Sequence, residues 1–187
     1  MINLIDGLFE FQENCVSFLL DKTADDQSKQ AIIVKSPTGS GKTIILIDFI
    51  DKYLDHVNPK TCFVWLCPGD GDLEEQSQDK MEDLLPNRVT RDINDVLLQG
   101  FVEGSTAFIN WQKVTKKGNK AITDSERSNL FERIADAHRS GIQFIVIIDE
   151  EHRNNTSKAK DIIDAFSSKN IIRVSATTKE DKLSEWY

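Results

Sequence analysis

Residues 35–44 read KSPTGSGKTI, a glycine-rich turn that ends in a lysine and a hydroxyl residue. Gly39 and Gly41 can adopt backbone angles that turn successive N–H groups inward, which suits an array of phosphate oxygens. The ammonium of Lys42 can reach the β- and γ-phosphates of a nucleotide, and the Thr43 hydroxyl can ligate Mg²⁺. A second block, IVIIDEEH at residues 145–152, carries Asp149 and Glu150 out of an apolar run. Two carboxylates that emerge from a buried strand are costly unless a cation meets them. Asp149 suits the Mg²⁺ side of such a site. Glu150, one residue on, suits a general base for an attacking water, and Glu151 reads as solvated or structural. A third block, VSATT at residues 174–178, puts the small hydroxyls of Ser175 and Thr177 at the end of another apolar run. The first two blocks together are an arrangement for hydrolysing a nucleoside triphosphate.

These blocks work only if the chain between them places them side by side. AIIV (31–34) is a β-branched run that stops at the glycine turn, and TIILIDFIDKYL (43–54) resumes with helical spacing. The turn therefore joins a strand to a helix, and the positive end of that helix adds to the phosphate cradle. TCFVWLC (61–67), TAFIN (106–110), IQFIVII (142–148) and NIIRVS (170–175) read as further strands. LFEFQENCVSFLL (8–20), a polar stretch from Leu73 to Leu84, ERSNLFERIADAHR (126–139) and KAKDIIDAF (158–166) read as helices. Residues 86–104 follow neither pattern, and the Lys-rich residues 113–128 read as a surface loop. Strands that are apolar on both faces and alternate with helices specify an α/β domain, with a mostly parallel sheet covered by helices on both faces. In P-loop folds of this type the last of these strands inserts between the other two that carry motifs. Ser175 and Thr177 then lie beside Lys42 and His152, where small hydroxyls relay the presence of a γ-phosphate.

At 187 residues the chain is long enough for one domain with its own core. Its net charge of −8 argues against coating nucleic acid through bulk charge, though a local basic groove stays open. The 3 cysteines are an odd number with no metal-like pairing to His, which reads as reduced, buried thiols in a cytoplasmic protein. The longest apolar run, FIVII (144–148), is far too short to cross a membrane, so no membrane association is expected.

SPTGSGKT, DEEH and SAT resemble motifs I, II and III of superfamily 2 helicases and translocases. One departure is Ser36, which stands where the P-loop pattern opens with Gly. FQ at Phe11–Gln12, LCPGDGDLEEQS, INWQKV and DEEHRN resemble the Res subunit of type III restriction enzymes and its DEAD/DEAH relatives, from about residue 8 to 178. The resemblance implies a RecA-like P-loop domain with ATP and Mg²⁺ as cofactors. The implied ATP site is Gln12, Thr38, Gly39, Ser40, Gly41, Lys42 and Thr43. Gln12 resembles the glutamine that reads the adenine edge, the alternative being a helix-surface residue. Thr43 and Asp149 would hold the metal, Lys42 and Glu150 would serve catalysis, and His152, Ser175 and Thr177 would couple phosphate loss to motion. Pro68, Leu73 and Gln76 fit motif Ia. With Ser77 and Asn110 they mark a nucleic-acid-facing edge, on which Trp111 is either a contact or core packing. Lys113, Lys116, Lys117 and Lys120 read as a solvated loop rather than phosphate contacts.

The implied partners are double-stranded DNA and a modification methyltransferase subunit in the parent complex. Residues 1–187 read as a single RecA-like ATP-binding domain, the first motor domain of a larger protein. A second RecA-like domain, its motifs IV to VI and any nuclease have no counterpart in the sequence, so the isolated chain is expected to be inactive alone. Two other readings stay open: a DEAD/DEAH RNA helicase domain, and a free-standing nucleotide-dependent interaction module.

Overall fold

Cys62–Cys67 (β2) reads CFVWLC, apolar at every position, and lies inside a parallel sheet with both faces covered. The computed structural model describes residues 7–25, 29–37, 39–67, 73–110, 120–149, 157–175 and 184–186. The other elements are α1 (Glu10–Ala24), β1 (Gln30–Lys35), α2 (Lys42–His56), α3 (Leu73–Leu84), β3 (Val89–Arg91), α4 (Ile93–Gln99), β4 (Ser105–Asn110), α5 (Lys120–Arg139), β5 (Phe144–Asp149), α6 (Ser157–Phe166), β6 (Asn170–Ser175) and β7 (Ser184–Trp186). Among the described residues the strands form one sheet in the order β3-β4-β2-β5-β6-β1-β7, and every pairing is parallel. The expected α/β class holds. The strand carrying Ser175 does insert between those that lead to Asp149 and to the glycine turn.

Alternate residues of β2 serve opposite faces, as the two-residue period of a strand requires. Phe63 and Trp65 join Phe49 and Tyr53 of α2, Leu19 of α1, Met81 of α3 and Phe108 in one core. Val64 and Leu66 join Leu130 and Ile134 of α5, Val96 of α4 and Phe166 of α6 in the other. Phe63 stands edge-on to both Phe49 and Tyr53, with ring centroids 5.8 and 5.4 Å apart. Burying each of these large apolar side chains stabilises by roughly 1.5–3 kcal/mol. The sheet is therefore held from both sides as well as by strand pairing.

Two local features depart from what the sequence suggests, and the burial of Lys169 adds a third that no pattern in it marks. Residues 86–104 contain β3 and α4, and Asp92 caps α4 by accepting the Asp95 N–H at 2.8 Å. Residues 120–128 continue the helix α5 rather than the surface loop expected over 113–128. Lys169 is buried, and its Nζ donates to the Thr23 carbonyl at 2.7 Å, satisfying a last-turn acceptor of α1. Among the described residues no helix is long and apolar enough to cross a membrane.

The register decides what meets at the carboxyl edge. Lys35 lies opposite Ser175, Asp149 opposite Val174, Leu66 opposite Ile148, and Cys67 opposite Asn110. Open parallel sheets bind ligands outside this edge.

Candidate functional site

The glycine turn leaves β1 and enters α2 through Gly41, which caps the helix in the left-handed region at φ +81°. Lys42 opens α2, and its Nζ donates to the carbonyls of Ser36 at 3.1 Å and Pro37 at 3.2 Å. The ammonium thus lies over the loop's own oxygens. Ser36, the residue that departs from the usual pattern, has a job that glycine could not do: its hydroxyl pairs with that of Ser40. The Ser40 hydroxyl also lies 2.7 Å from the Pro37 carbonyl. The Ser36 N–H donates to the Ser175 carbonyl at 3.2 Å, which ties the loop to β6.

Gln12 is 5% exposed, which removes it from the helix surface. Its Nε2 donates to the Ser40 carbonyl at 2.9 Å, and its Oε1 accepts the Phe9 N–H at 2.9 Å. A Cβ added at Gly41 would lie 2.5 Å from that Nε2, while one added at Gly39 (φ +83°) would meet nothing within 4 Å. Both glycines carry the same backbone strain on substitution, but only Gly41 carries a clash as well. Gly41→Ala is expected to lower Tm by roughly 3–8 °C, and Gly39→Ala by less, as read by thermal unfolding. Equal losses would show that Gln12 does not brace the loop.

Asp149 closes β5, Cys67 closes β2, and Glu74 stands buried in the first turn of α3. Burial first, then the negative charges of Asp149 and Glu74, push the Cys67 thiol well above its ordinary range. Asp149 and Glu74 thus set two carboxylates near Cys67 at these strand ends. Burial likewise raises Cys15 to about 11 and Cys62 to about 12. All three cysteines are free and buried, as the sequence implied.

A cavity of about 340 Å³ opens between α2 and α3. Gly41, Thr43 and Ile44 line it from the loop side, Leu73, Gln76, Ser77 and Lys80 from α3, and Asp149 from β5. It brings together Thr43 and Asp149, the pair that the sequence nominates for a metal. A hydroxyl and a carboxylate are hard oxygen donors of the kind Mg²⁺ takes, with phosphate and water completing its shell. Among the described residues no group of three or more His, Cys, Asp or Glu gathers into a self-sufficient metal site. The residues present therefore fit a metal held jointly with a phosphorylated ligand.

Gln76 and Ser77, nominated for nucleic acid, share this cavity with Thr43 and Asp149. Asn110 ends β4 beside Cys67 and is 7% exposed; Ser175 is buried. Thr38, Pro68, Trp111, Lys113, Lys116, Lys117, Glu150, Glu151, His152 and Thr177 lie outside the described residues. Lys120 opens α5. Sequence reasoning missed Glu74 and Lys80. Their signal was in α3 itself, where a glutamate that must be buried and a single base stand among acids.

Residues 6–180 match the family described as type III restriction enzyme, res subunit. No curated protein sequence is significantly similar to the chain. Among solved structures, the Sulfolobus solfataricus SWI2/SNF2 ATPase core in complex with dsDNA is similar with a TM-score of 0.67 at 14% identity, over 96% of this chain and 34% of its own. A nuclease-deletion mutant of the Type ISP restriction-modification enzyme LlaGI, in complex with a DNA substrate mimic, gives a TM-score of 0.62 at 14% identity, over 96% of this chain and 18% of its own. The DUF1998 helicase MrfA gives 0.51 at 18% identity, over 94% and 28%. The chain thus spans about a third or less of the structures it resembles. The shared fold is the RecA-like domain of helicase cores.

Proposed function

Because this chain belongs to the Res-subunit family of type III restriction enzymes, we propose that it is an ATP-binding motor domain of a DNA-dependent helicase or translocase. The observation that carries this reading is the cavity that unites Thr43 and Asp149 directly beside Gly41 at the carboxyl edge of the sheet. On nucleotide binding, Lys42 exchanges the Ser36 and Pro37 carbonyls for phosphate oxygens. Loop N–H groups and the N-terminal end of α2 complete the cradle, with Thr38, Gly39, Ser40 and Gly41 supplying backbone. Thr43 and Asp149 would hold Mg²⁺, which when bound neutralises phosphate charge. Gln12 keeps one N–H and one lone pair free of the loop for an adenine edge. Glu150 takes the proton of the attacking water. Ser175, Thr177 and His152 carry the loss of the γ-phosphate outward, and the bond from Ser36 to Ser175 gives that relay a first mechanical link.

Double-stranded DNA is the proposed track. Two of the similar structures are named as complexes with DNA, which supports duplex DNA over the RNA of a DEAD/DEAH RNA helicase. Pro68, Gln76, Ser77 and Asn110 lie at or follow strand ends and are the proposed approach to its backbone. The domain would work in the cytoplasm, beside a second RecA-like domain and a methyltransferase subunit. A free-standing interaction module would bind nucleotide without any nucleic-acid preference. Calorimetry with and without Mg²⁺ tests the core of the reading. Mg²⁺ should strengthen ATP binding, and Asp149→Asn should weaken Mg²⁺-ATP binding by on the order of tenfold, the size of one charge-assisted contact. Duplex DNA should bind in preference to duplex RNA of equal length. Metal-independent ATP binding in the parent would overturn the assignment of Thr43 and Asp149.

A further inference from the structure

Helix α3 reads LEEQSQDKMEDL, with five acidic residues and Lys80 as its one base. A helical lysine usually meets acids three or four residues away. Four residues either side of Lys80 stand Gln76 and Leu84, three before it stands Ser77, and Asp83 alone is acidic at this spacing. Lys80 forms no ion pair or hydrogen bond, with Asp83 or any other partner, among the described residues. Its side chain is exposed, yet it lines the cavity shared by Thr43, Asp149 and Ser77. The helix thus turns its single cation away from its own acids and toward the cleft.

A nucleoside triphosphate carries more negative charge than Lys42 and one Mg²⁺ can neutralise, and Asp149 adds to the excess. Lys42, between the lining residues Gly41 and Thr43, holds its ammonium over the loop carbonyls beside the cleft, and the α3 wall supplies Lys80 and Ser77. We propose that Lys80 is a second phosphate-binding cation, which contacts the terminal phosphate of a bound nucleoside triphosphate from the α3 wall. This inference rests on the ATP reading above. A diphosphate lacks the group that Lys80 recognises. Lys80 therefore distinguishes triphosphate from diphosphate, and it draws α3 toward α2 only in the triphosphate state. Gln76 and Ser77, proposed for nucleic acid, stand on the same helix and shift with it.

Titration calorimetry of Mg²⁺-ATP and Mg²⁺-ADP into the 187-residue chain and its Lys80→Ala variant tests this. Lys80→Ala should weaken ATP about 5- to 20-fold while leaving ADP within about twofold, and Lys80→Arg should keep most of the ATP affinity. Lys80 is exposed and has no partner among the described residues, so thermal unfolding of both variants should match the parent. Equal losses for ATP and ADP, or none for either, would overturn the proposal while ATP binding by the parent stands. An unchanged ATP-to-ADP ratio with weakened duplex DNA binding would also overturn it and make Lys80 a nucleic-acid contact. A parent that binds neither nucleotide would remove the ATP reading, and this inference with it.

Discussion

Lys42→Ala should abolish detectable ATP binding in a protein that remains folded. The two halves of that expectation have separate grounds. Nζ of Lys42 donates to the Ser36 and Pro37 carbonyls at 3.1 and 3.2 Å, and although Ser36 is buried the Pro37 contact is exposed and brings the ammonium to solvent. Water can replace the ammonium there at little cost, since only an unsatisfied buried group carries the full desolvation penalty. The core residues of α2, from Ile45 to Leu54, do not depend on it. For the nucleotide the balance differs. Lys42 is the proposed side-chain cation for the phosphates, and a charge-assisted contact to phosphate contributes roughly 1.5–3 kcal/mol. At about tenfold or more per contact of this kind, that loss should carry the affinity below the range calorimetry can read. Titration of parent and variant, with circular dichroism to confirm the fold, measures both halves. Unchanged ATP affinity in a folded variant would take the nucleotide away from this loop.

Strands of continuous apolar character were legible because a parallel sheet buried on both faces leaves no polar alternation to misread. β6 begins and ends where NIIRVS does, and β2 starts one residue after Thr61. The loop motif was legible because glycines, lysine and threonine at fixed spacing have few other uses. What stayed hidden depended on contacts between distant segments. The short β3 and α4 carry too few apolar residues for a period to emerge, although Asp92 and Asp95 formed a readable capping pair. The helix at 120–128 sits in a lysine- and serine-containing stretch whose composition looks like a loop. Gln12 could be nominated for adenine, but its packing against Ser40 needed the fold, since 28 residues separate the partners. Gln76, Ser77 and Lys80 share a cavity with Asp149 only because β2 and β5 are neighbours in the sheet.

Glu150→Gln should leave ATP binding nearly unchanged and slow hydrolysis by roughly 10²–10⁴-fold. Asp149 ends β5 and lines the cavity with Thr43, and Glu150 is its next neighbour in the sequence. Glutamine keeps the length and hydrogen-bonding reach of glutamate and removes its capacity to accept a proton. It also removes one negative charge from a site that must hold a polyanion, so binding should hold or tighten slightly. Asp149→Asn is the opposite case, because its loss falls on Mg²⁺-linked binding before any chemistry begins. Glu151→Gln separates the proposed catalytic base from the general acidity of the DEEH run. With no assigned place at the phosphates, it should turn over within a few-fold of the parent. Phosphate release by the intact protein on duplex DNA, at saturating Mg²⁺-ATP, reads the three variants together. Near-normal turnover by Glu150→Gln, with binding intact, would strike Glu150 from the catalytic groups. A large loss in Glu151→Gln alone would move the base one residue along the chain.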